Sequence, residues 1–379
     1  MKKIYWFLRQ THKLAGTEMV TLNIVNLLAK ERQINLVVMG QKYENMPFPI
    51  SEDVNTIYLN IPYKYSCIDE YAEEVNPIVR PFALMKGSMY WIFKRFKNRK
   101  IIKSMTTKDD ILIFSAYDNY LCAPKDRRVL FHFHFNAKFF LKPSISLGRM
   151  FHRKPDKYIF LTKETKLKIE AKKKNVKDSY FVHNPIRFDS NLNLDYHNNE
   201  IIFIGRFTAQ KDPILALQIM LELKKLDFKA HLSMYGAGEL ENKMKSFIEK
   251  NKLNDFVTLK GTSNQLKEKL NESDLLLCTS TFEGFHLGLN EANSQSVPAI
   301  STNWGDAIKE VLDNGENGFI IESRNPKDIA VKIKEILLDL NYLKDLRQKT
   351  YNHFNKHSNS EYIKKCWISI FNEEDKISI

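Results

Sequence analysis

Ile201-Ile202-Phe203-Ile204-Gly205-Arg206-Phe207-Thr208-Ala209-Gln210-Lys211-Asp212-Pro213 reads as a buried strand, a glycine turn and the opening of a helix. Asp212 suits an N-cap and Pro213 suits the first helical position. The same alternation of apolar strand-like runs and helical patterns continues in both directions. In the first half the strand candidates are Ile4–Leu8, Ile34–Met39, Ile111–Phe114, Val129–His134, Tyr158–Leu161 and Tyr180–Val182. In the second they are Ile201–Ile204, Ala230–Met234, Phe256–Leu259, Leu275–Cys278, Ala299–Ser301 and Gly318–Ile321. Strands alternating with helices predict an α/β chain with parallel sheets covered on both faces. A length of 379 residues exceeds what one core usually supports, so two doubly wound domains are expected.

The boundary falls at His183-Asn184-Pro185, which is followed by polar, turn-rich Asp189-Ser190-Asn191-Leu192-Asn193 and Tyr196-His197-Asn198-Asn199. This divides the chain into residues 1–185 and 186–358. The helical pattern of 359–379, centred on Tyr362 to Phe371, is expected to cross back onto the first domain.

An apolar content of 43% and an aromatic content of 12% suit globular domains, and no run approaches the roughly 18 to 20 apolar residues of a membrane span. The apolar core of Met1-Lys2-Lys3-Ile4-Tyr5-Trp6-Phe7-Leu8-Arg9 is too short for a signal peptide, which predicts a cytoplasmic chain. Cys67, Cys122, Cys278 and Cys366 are far apart, so neither a disulfide framework nor a zinc site is indicated. No two aspartates stand two apart, so the D-x-D arrangement by which many sugar-transferring enzymes hold a divalent metal is missing, and no metal or other cofactor is expected.

The net charge of +13 is unevenly placed. Residues 1–185 hold 33 Lys and Arg against 17 Asp and Glu, whereas residues 186–379 hold 25 against 28. Lysine-rich solubility does not explain such asymmetry; an anionic partner of the first half does. Within that half, residues 82–100 mix bulky apolar side chains with basic ones, including Trp91, Lys94, Arg95 and Lys97. An interfacial helix on an anionic membrane surface has this composition, and so does a core helix with a basic outer face. Lys172-Lys173-Lys174 fits a solvated helix end. Nucleic-acid binding would account for the charge but would leave the motifs below unexplained.

Phe282-Glu283-Gly284-Phe285-His286-Leu287-Gly288-Leu289-Asn290-Glu291 sets two carboxylates either side of a turn that opens a helix. A helix N-terminus offers unpaired N–H groups and partial positive charge to an anion, and the flanking glutamates can accept from hydroxyls. Phosphate plus polyol points to a nucleotide sugar, although solvated helix charges would look similar. Arg206 and Lys211, on a loop at the carboxyl end of a strand, suit a diphosphate: the guanidinium by its fork, the ammonium by charge. Tyr235-Gly236-Ala237-Gly238 reads as a tight turn near the ligand, and Gly16 opens a helical run in a place where backbone can approach phosphate. In Phe131-His132-Phe133-His134-Phe135-Asn136, alternation puts His132 and His134 on one face and the phenylalanines on the other. Buried structural histidines fit this pattern too; His134, nearer the strand's carboxyl end, is the better substrate candidate.

Taken together, these pieces resemble the retaining, GT-B-fold glycosyltransferases of family four. The resemblance rests on Gly16-Thr17-Glu18, His183-Asn184-Pro185-Ile186, Gly205-Arg206 with Lys211, Gly236-Ala237-Gly238, Glu283 through Glu291, and Asn317-Gly318-Phe319 after Glu310. It implies two Rossmann-like domains facing a cleft, with a nucleotide-diphospho-sugar, UDP-sugar favoured, held by the second. It places Arg206 and Lys211 on the diphosphate, Glu291 on the ribose, and Glu283 with Phe285 and His286 on the transferred sugar. Leu287 and Gly288 would meet phosphate through their N–H groups, Gly16 would close over it, and His134 would sit by the sugar. The acceptor implied is a lipid-linked glycan or an anionic polymer such as teichoic acid, at the inner face of the plasma membrane. Two departures stand out, Ala15 before Gly16 and Ser296 before Val297-Pro298, where many relatives carry glycine. A non-catalytic acceptor- or partner-binding protein and a nucleotide-sugar epimerase are the competing readings.

Overall fold

The computed structural model describes residues 2–10, 16–42, 48–61, 95–116, 120–134, 137–141, 154–173, 176 and 179–373. Two all-parallel sheets organise them. The first contains β1 (Ile4–Leu8), β2 (Ile34–Val38), β3 (Asn55–Tyr58), β4 (Ile111–Phe114), β5 (Arg128–His132), β6 (Lys157–Phe160) and β7 (Tyr180–Phe181), in the order β3-β2-β1-β4-β5-β6-β7. The second contains β8 (Glu200–Ile204), β9 (His231–Tyr235), β10 (Val257–Gly261), β11 (Leu275–Cys278), β12 (Ala299–Thr302) and β13 (Gly318–Ile321), in the order β10-β9-β8-β11-β12-β13. This is the GT-B architecture. In each sheet the strand order reverses beside the first strand, between β1 and β4 and between β8 and β11, and open α/β sheets bind ligands at the carboxyl side of such a point.

The central strands are buried on both faces, which is why β1, β4 and β11 are apolar without interruption. In β1, Ile4, Trp6 and Leu8 enter one core, while Tyr5 and Phe7 enter the other. In β8, Ile201 and Phe203 face one core and Ile202 the other. β3 was not expected: its residues are only partly covered, so no apolar run announces it. β5 stops at His132, two residues short of expectation, which leaves His134 on the loop beyond the strand.

The helix Ser360–Asn372 starts at Asn359, whose side chain accepts from Tyr362 N at 2.8 Å. It buries Ile363, Cys366, Trp367, Ile370 and Phe371 in the core of the first sheet, with Trp367 4.8 Å from Trp6 between ring centroids. The helix Leu340–His357 serves the second domain instead. Its Arg347, 1% exposed, pairs with Asp274 at 3.0 Å and donates to the carbonyls of Asn193, Tyr196 and Ser273. The other oxygen of Asp274 accepts from Asn198 N and Glu200 N, so the interdomain linker is anchored where β8 and β11 begin.

The carboxyl ends of the two sheets face each other. Leu161, just after β6, belongs to a core cluster of the second domain, and Leu287 packs against clusters of both domains. Glu310, on the helix after β12, accepts from His183 Nε2 at 2.7 Å and from Glu164 N at 3.1 Å. His183 Nδ1 meets Ser358 Oγ at 2.7 Å.

Trp91 and Lys94 of the expected membrane-facing segment lie outside the described residues; residues 95–105 are helical. Arg95 does not stand free for a headgroup as expected. Its Nε donates to the Leu121 carbonyl at 2.6 Å, because a half-buried guanidinium needs acceptors and finds them in the adjoining turn. Lys97 is exposed, as is Phe96 at 56%. No helix among the described residues is long and apolar enough to cross a membrane.

Candidate active site

The loop after β8 is pressed against the loop after β9. A Cβ on Gly236, whose φ is +153°, would stand 1.9 Å from the Gly205 carbonyl oxygen, and one on Gly238 would stand 2.5 Å from that of Phe207. Backbone bonds from Gly205 N to Tyr235 O (3.0 Å) and Phe207 N to Ala237 O (3.0 Å) close the contact. The two glycines expected to form a turn near ligand therefore permit this packing. Across Gly205 runs the stem of Lys211, whose Cδ would be 3.2 Å from an added Cβ. Asp212 follows in the left-handed region at φ 45°, tolerable for Asp, and caps the helix Pro213–Lys225 through Leu215 N. Arg324 holds the other oxygen of Asp212 at 2.6 Å, and Thr279 donates to the Lys211 and Asp212 carbonyls.

This buttressing aims Lys211 at the end of β11. Its Nζ lies 2.7 Å from Glu283 Oε1, and both side chains are largely buried. Ser280 Oγ donates to the same carboxylate at 2.9 Å, and Gln210 Nε2 donates to Oε2 at 3.3 Å and to Phe282 O at 3.0 Å. Lysine and glutamate, assigned to phosphate and sugar from sequence, thus form one pair. Two protons of the ammonium have no partner among the described residues. The guanidinium of Arg206 is exposed and likewise free of partners there.

The helix opened by the motif of Glu283 and Glu291 runs from Leu287 to Ser294. His286 is its N-cap, Nδ1 accepting from Leu289 N at 3.0 Å. Burial, reinforced by the Lys211 charge, holds this imidazole well below its usual range, so it stays neutral and can accept. His286 is therefore a capping group, and Phe285 packs on His183, 5.4 Å between rings. Gly288 lets the first turn lie on the end of β8, where an added Cβ would meet Ile204 at 2.9 Å. The N–H groups of Leu287 and Gly288 have no partner among the described residues, as at any helix start. Glu291, one turn on, is buried and pairs with Arg187 Nε at 3.0 Å. Burial raises its pKa, with the Arg187 charge opposing.

In the first domain the shared face of His132 and His134 is present, their rings 4.1 Å apart. His132, 1% exposed, lies edge-on to Trp6 and Trp367, and neither of its ring nitrogens has a hydrogen bond among the described residues. Burial and the neighbouring His134 hold it well below its ordinary pKa; burial takes His134 down to about 3. His132 is a core residue. His134 is half-buried, two residues beyond the carboxyl end of β5. Gly16 is the exposed first residue of the helix Gly16–Ala29, with nothing near a would-be Cβ.

Residues 184–353, which carry Arg187, Arg206, Lys211, Glu283, His286 and Glu291, match the family described as glycosyl transferases group 1. This domain belongs to that family. Among curated relatives of the group 1 domain, the poly(glycerol-phosphate) alpha-glucosyltransferase of Bacillus subtilis is 27% identical over 188 residues, 50% of this chain and 28% of the relative. A Campylobacter jejuni alpha-1,4-N-acetyl-D-galactosaminyltransferase, named for a diNAcBac-PP-undecaprenol-linked acceptor, is 22% identical over 97% of this chain and 98% of its own. Among solved structures, Staphylococcus aureus TarM in complex with fondaparinux, alpha-GlcNAc-glycerol and UDP superimposes with a TM-score of 0.76 at 14% identity, covering 98% of this chain and 100% of that one. The pneumococcal O-GlcNAc transferase GtfA, in complex with UDP and GlcNAc, gives 0.74 at 12% identity over 98% and 99%.

Arg187, Gln210, Ser280 and Arg324 were not anticipated. Arg187 lies two residues beyond Pro185 in what reads as a linker, and no local pattern links it to Glu291, 104 residues away. Gln210 was visible only as the residue before Lys211.

Proposed function

We propose that the protein is a retaining glycosyltransferase that moves a sugar from a nucleotide-diphospho-sugar, a UDP-sugar by preference, to a cell-envelope, polysaccharide or teichoic-acid-type acceptor at the membrane surface. The observation that carries this reading is the Lys211–Glu283 pair beside the open N-terminus of Leu287–Ser294, at the switch point of the second sheet. As the anomeric bond breaks, negative charge grows on the leaving diphosphate. Lys211, with two uncommitted protons, Arg206, with a free guanidinium, and the N–H groups of Leu287 and Gly288 meet it in a site the first domain covers. Glu283, held by Ser280 and Gln210, accepts from sugar hydroxyls; Glu291 accepts from the ribose. Retention follows if the acceptor attacks from the front face and the departing phosphate takes its proton. No side-chain nucleophile and no metal enters this scheme. His134 contacts the sugar from the opposite domain, and the basic first half, with exposed Lys97, receives the anionic acceptor.

Support comes from the relatives, whose names include transferases onto a glycerol-phosphate polymer and an undecaprenol-linked glycan. The test is incubation of the purified protein with UDP-glucose, UDP-N-acetylglucosamine and their GDP counterparts, with teichoic acid or a lipid-linked oligosaccharide as acceptor, with and without EDTA. Transfer with an α-anomeric product signal in NMR, unaffected by EDTA, is expected. An inverted product defeats retention, and failure to transfer or hydrolyse any donor defeats the enzyme reading.

A further inference from the structure

Glu291 is a buried carboxylate with one charged neighbour acting on it, and that neighbour comes from outside the second sheet. Arg187 reaches it from the interdomain linker with Nε 3.0 Å from Oε1, Glu291 being 7% exposed and the Arg187 side chain 30%. The linker is pinned on both sides of Arg187: His183 is bound to Glu310 and Ser358, Asn184 O accepts from Asn290 Nδ2 at 3.2 Å, and Asp189 O accepts from Gln295 Nε2 at 2.8 Å. Glu291 Oε2 has no partner among the described residues, and neither do the two terminal nitrogens of Arg187. One carboxylate oxygen is thus occupied and the other left open.

We infer that Arg187 is the positioning residue of the ribose subsite, fixing the Glu291 carboxylate in its ionised form with Oε2 presented to the ribose hydroxyls of the donor. This rests on the proposed nucleotide-sugar reading. The physical need is clear. A carboxylate shielded from water tends to take up a proton, and burial indeed raises the pKa of Glu291, with Arg187 the charge that opposes it. Protonated, Glu291 would lose the charge that makes its hydrogen bonds to hydroxyls strong. The guanidinium also removes the choice of which oxygen faces the cleft, since Nε engages Oε1 from a backbone that cannot retreat.

The experiment is calorimetric binding of UDP to the full chain between pH 5.5 and 8.5, for wild type, Arg187→Met and Arg187→Lys, with 2′,3′-dideoxy-UDP in parallel. At pH 7, Arg187→Met is expected to weaken UDP binding about tenfold, the scale of one charge-assisted hydrogen bond. Because its Glu291 pKa rises further, the loss deepens as the pH falls and shrinks as it rises. Arg187→Lys, keeping the charge without the fork, recovers part of the affinity. Dideoxy-UDP binds wild type and Arg187→Met alike, because the hydroxyls that Glu291 receives are gone. A penalty that persists with dideoxy-UDP shows Arg187 acting on the nucleotide by another route and overturns the inference, as does a pH profile parallel to wild type. Wild type failing to bind UDP, GDP or ADP overturns the donor reading and this inference with it; wild type binding UDP with Arg187→Met unaffected overturns this inference alone. Circular dichroism melts confirm that each variant is folded.

Discussion

The ion pairs Arg347–Asp274 and Lys211–Glu283, both largely buried in the second domain, differ in where they stand and what can reach them. Arg347–Asp274 is sealed, at 1% and 0% side-chain exposure, and its charges are spent on backbone: three carbonyls on one side, two N–H groups on the other. Lys211–Glu283 has a similar length, 2.7 Å against 3.0 Å, but 14% and 8% exposure, and its ammonium keeps two protons without partners among the described residues. The first pair fastens the linker to the start of the sheet. The second stands at the opposite, carboxyl end with capacity in hand. Arg347 also keeps an unpartnered Nε, but it is sealed in the core, whereas the spare protons of Lys211 stand at the end of the sheet where a ligand can reach them.

The strongest way to break this contrast is Arg347→Ala, which leaves Asp274 buried without its cation. A loss of about 3–5 kcal/mol is expected in denaturant unfolding, with the turnover of the folded fraction unchanged. A loss under about 1 kcal/mol would remove the distinction. Lys211→Ala should do the reverse, lowering kcat about 10²- to 10³-fold in a sugar-transfer assay while shifting the unfolding midpoint less than Arg347→Ala does. Gly205→Ala sharpens the second half of the comparison. Its new Cβ, 3.2 Å from the Lys211 stem, displaces the ammonium without removing it, so a fall in kcat of about tenfold is expected, between wild type and Lys211→Ala.

The smallest effect concerns neutral buried groups. His134 is held near pKa 3 by burial, below an unfolded value of about 6.5. Between those values the unfolded chain binds more protons, so stability is fully present above about pH 6.5 and declines as the pH falls toward 3. His132, lowered in the same direction by burial and by His134, adds to the slope. Melting temperatures measured from pH 7.5 to 5 should fall, and His134→Asn should flatten that slope; an unchanged slope removes His134 from the account.

The alternating pattern of the chain was enough to read two doubly wound domains, because strands buried on both faces must be apolar without a break. Ile4–Leu8, Ile111–Phe114 and Leu275–Cys278 were legible to the residue. β3 escaped because an edge strand with partly exposed side chains carries no such run. At the site, glycine spacing and charge singled out Lys211, Glu283 and Glu291 as candidates, but not the contacts they make. The ion pair of Lys211 with Glu283 spans 72 positions, and the hold of Arg187 on Glu291 comes from a linker whose local sequence signals only a turn. The same limit applies to His132 and His134. Alternation places them side by side, but it does not show that Trp367, from the far end of the chain, closes over one of them.

That last contact bears on how the protein is made. Ile4, Trp6 and Leu8 leave the ribosome before any residue of the second domain, yet their core is completed by Ile363, Trp367 and Ile370. The second sheet holds all its strands within Glu200–Ile321 and can close during synthesis, whereas the first must wait, with part of its core uncovered, until the Ser360–Asn372 helix has emerged. During vectorial synthesis the order of completion is therefore inverted: the earlier half of the chain is the later half to finish.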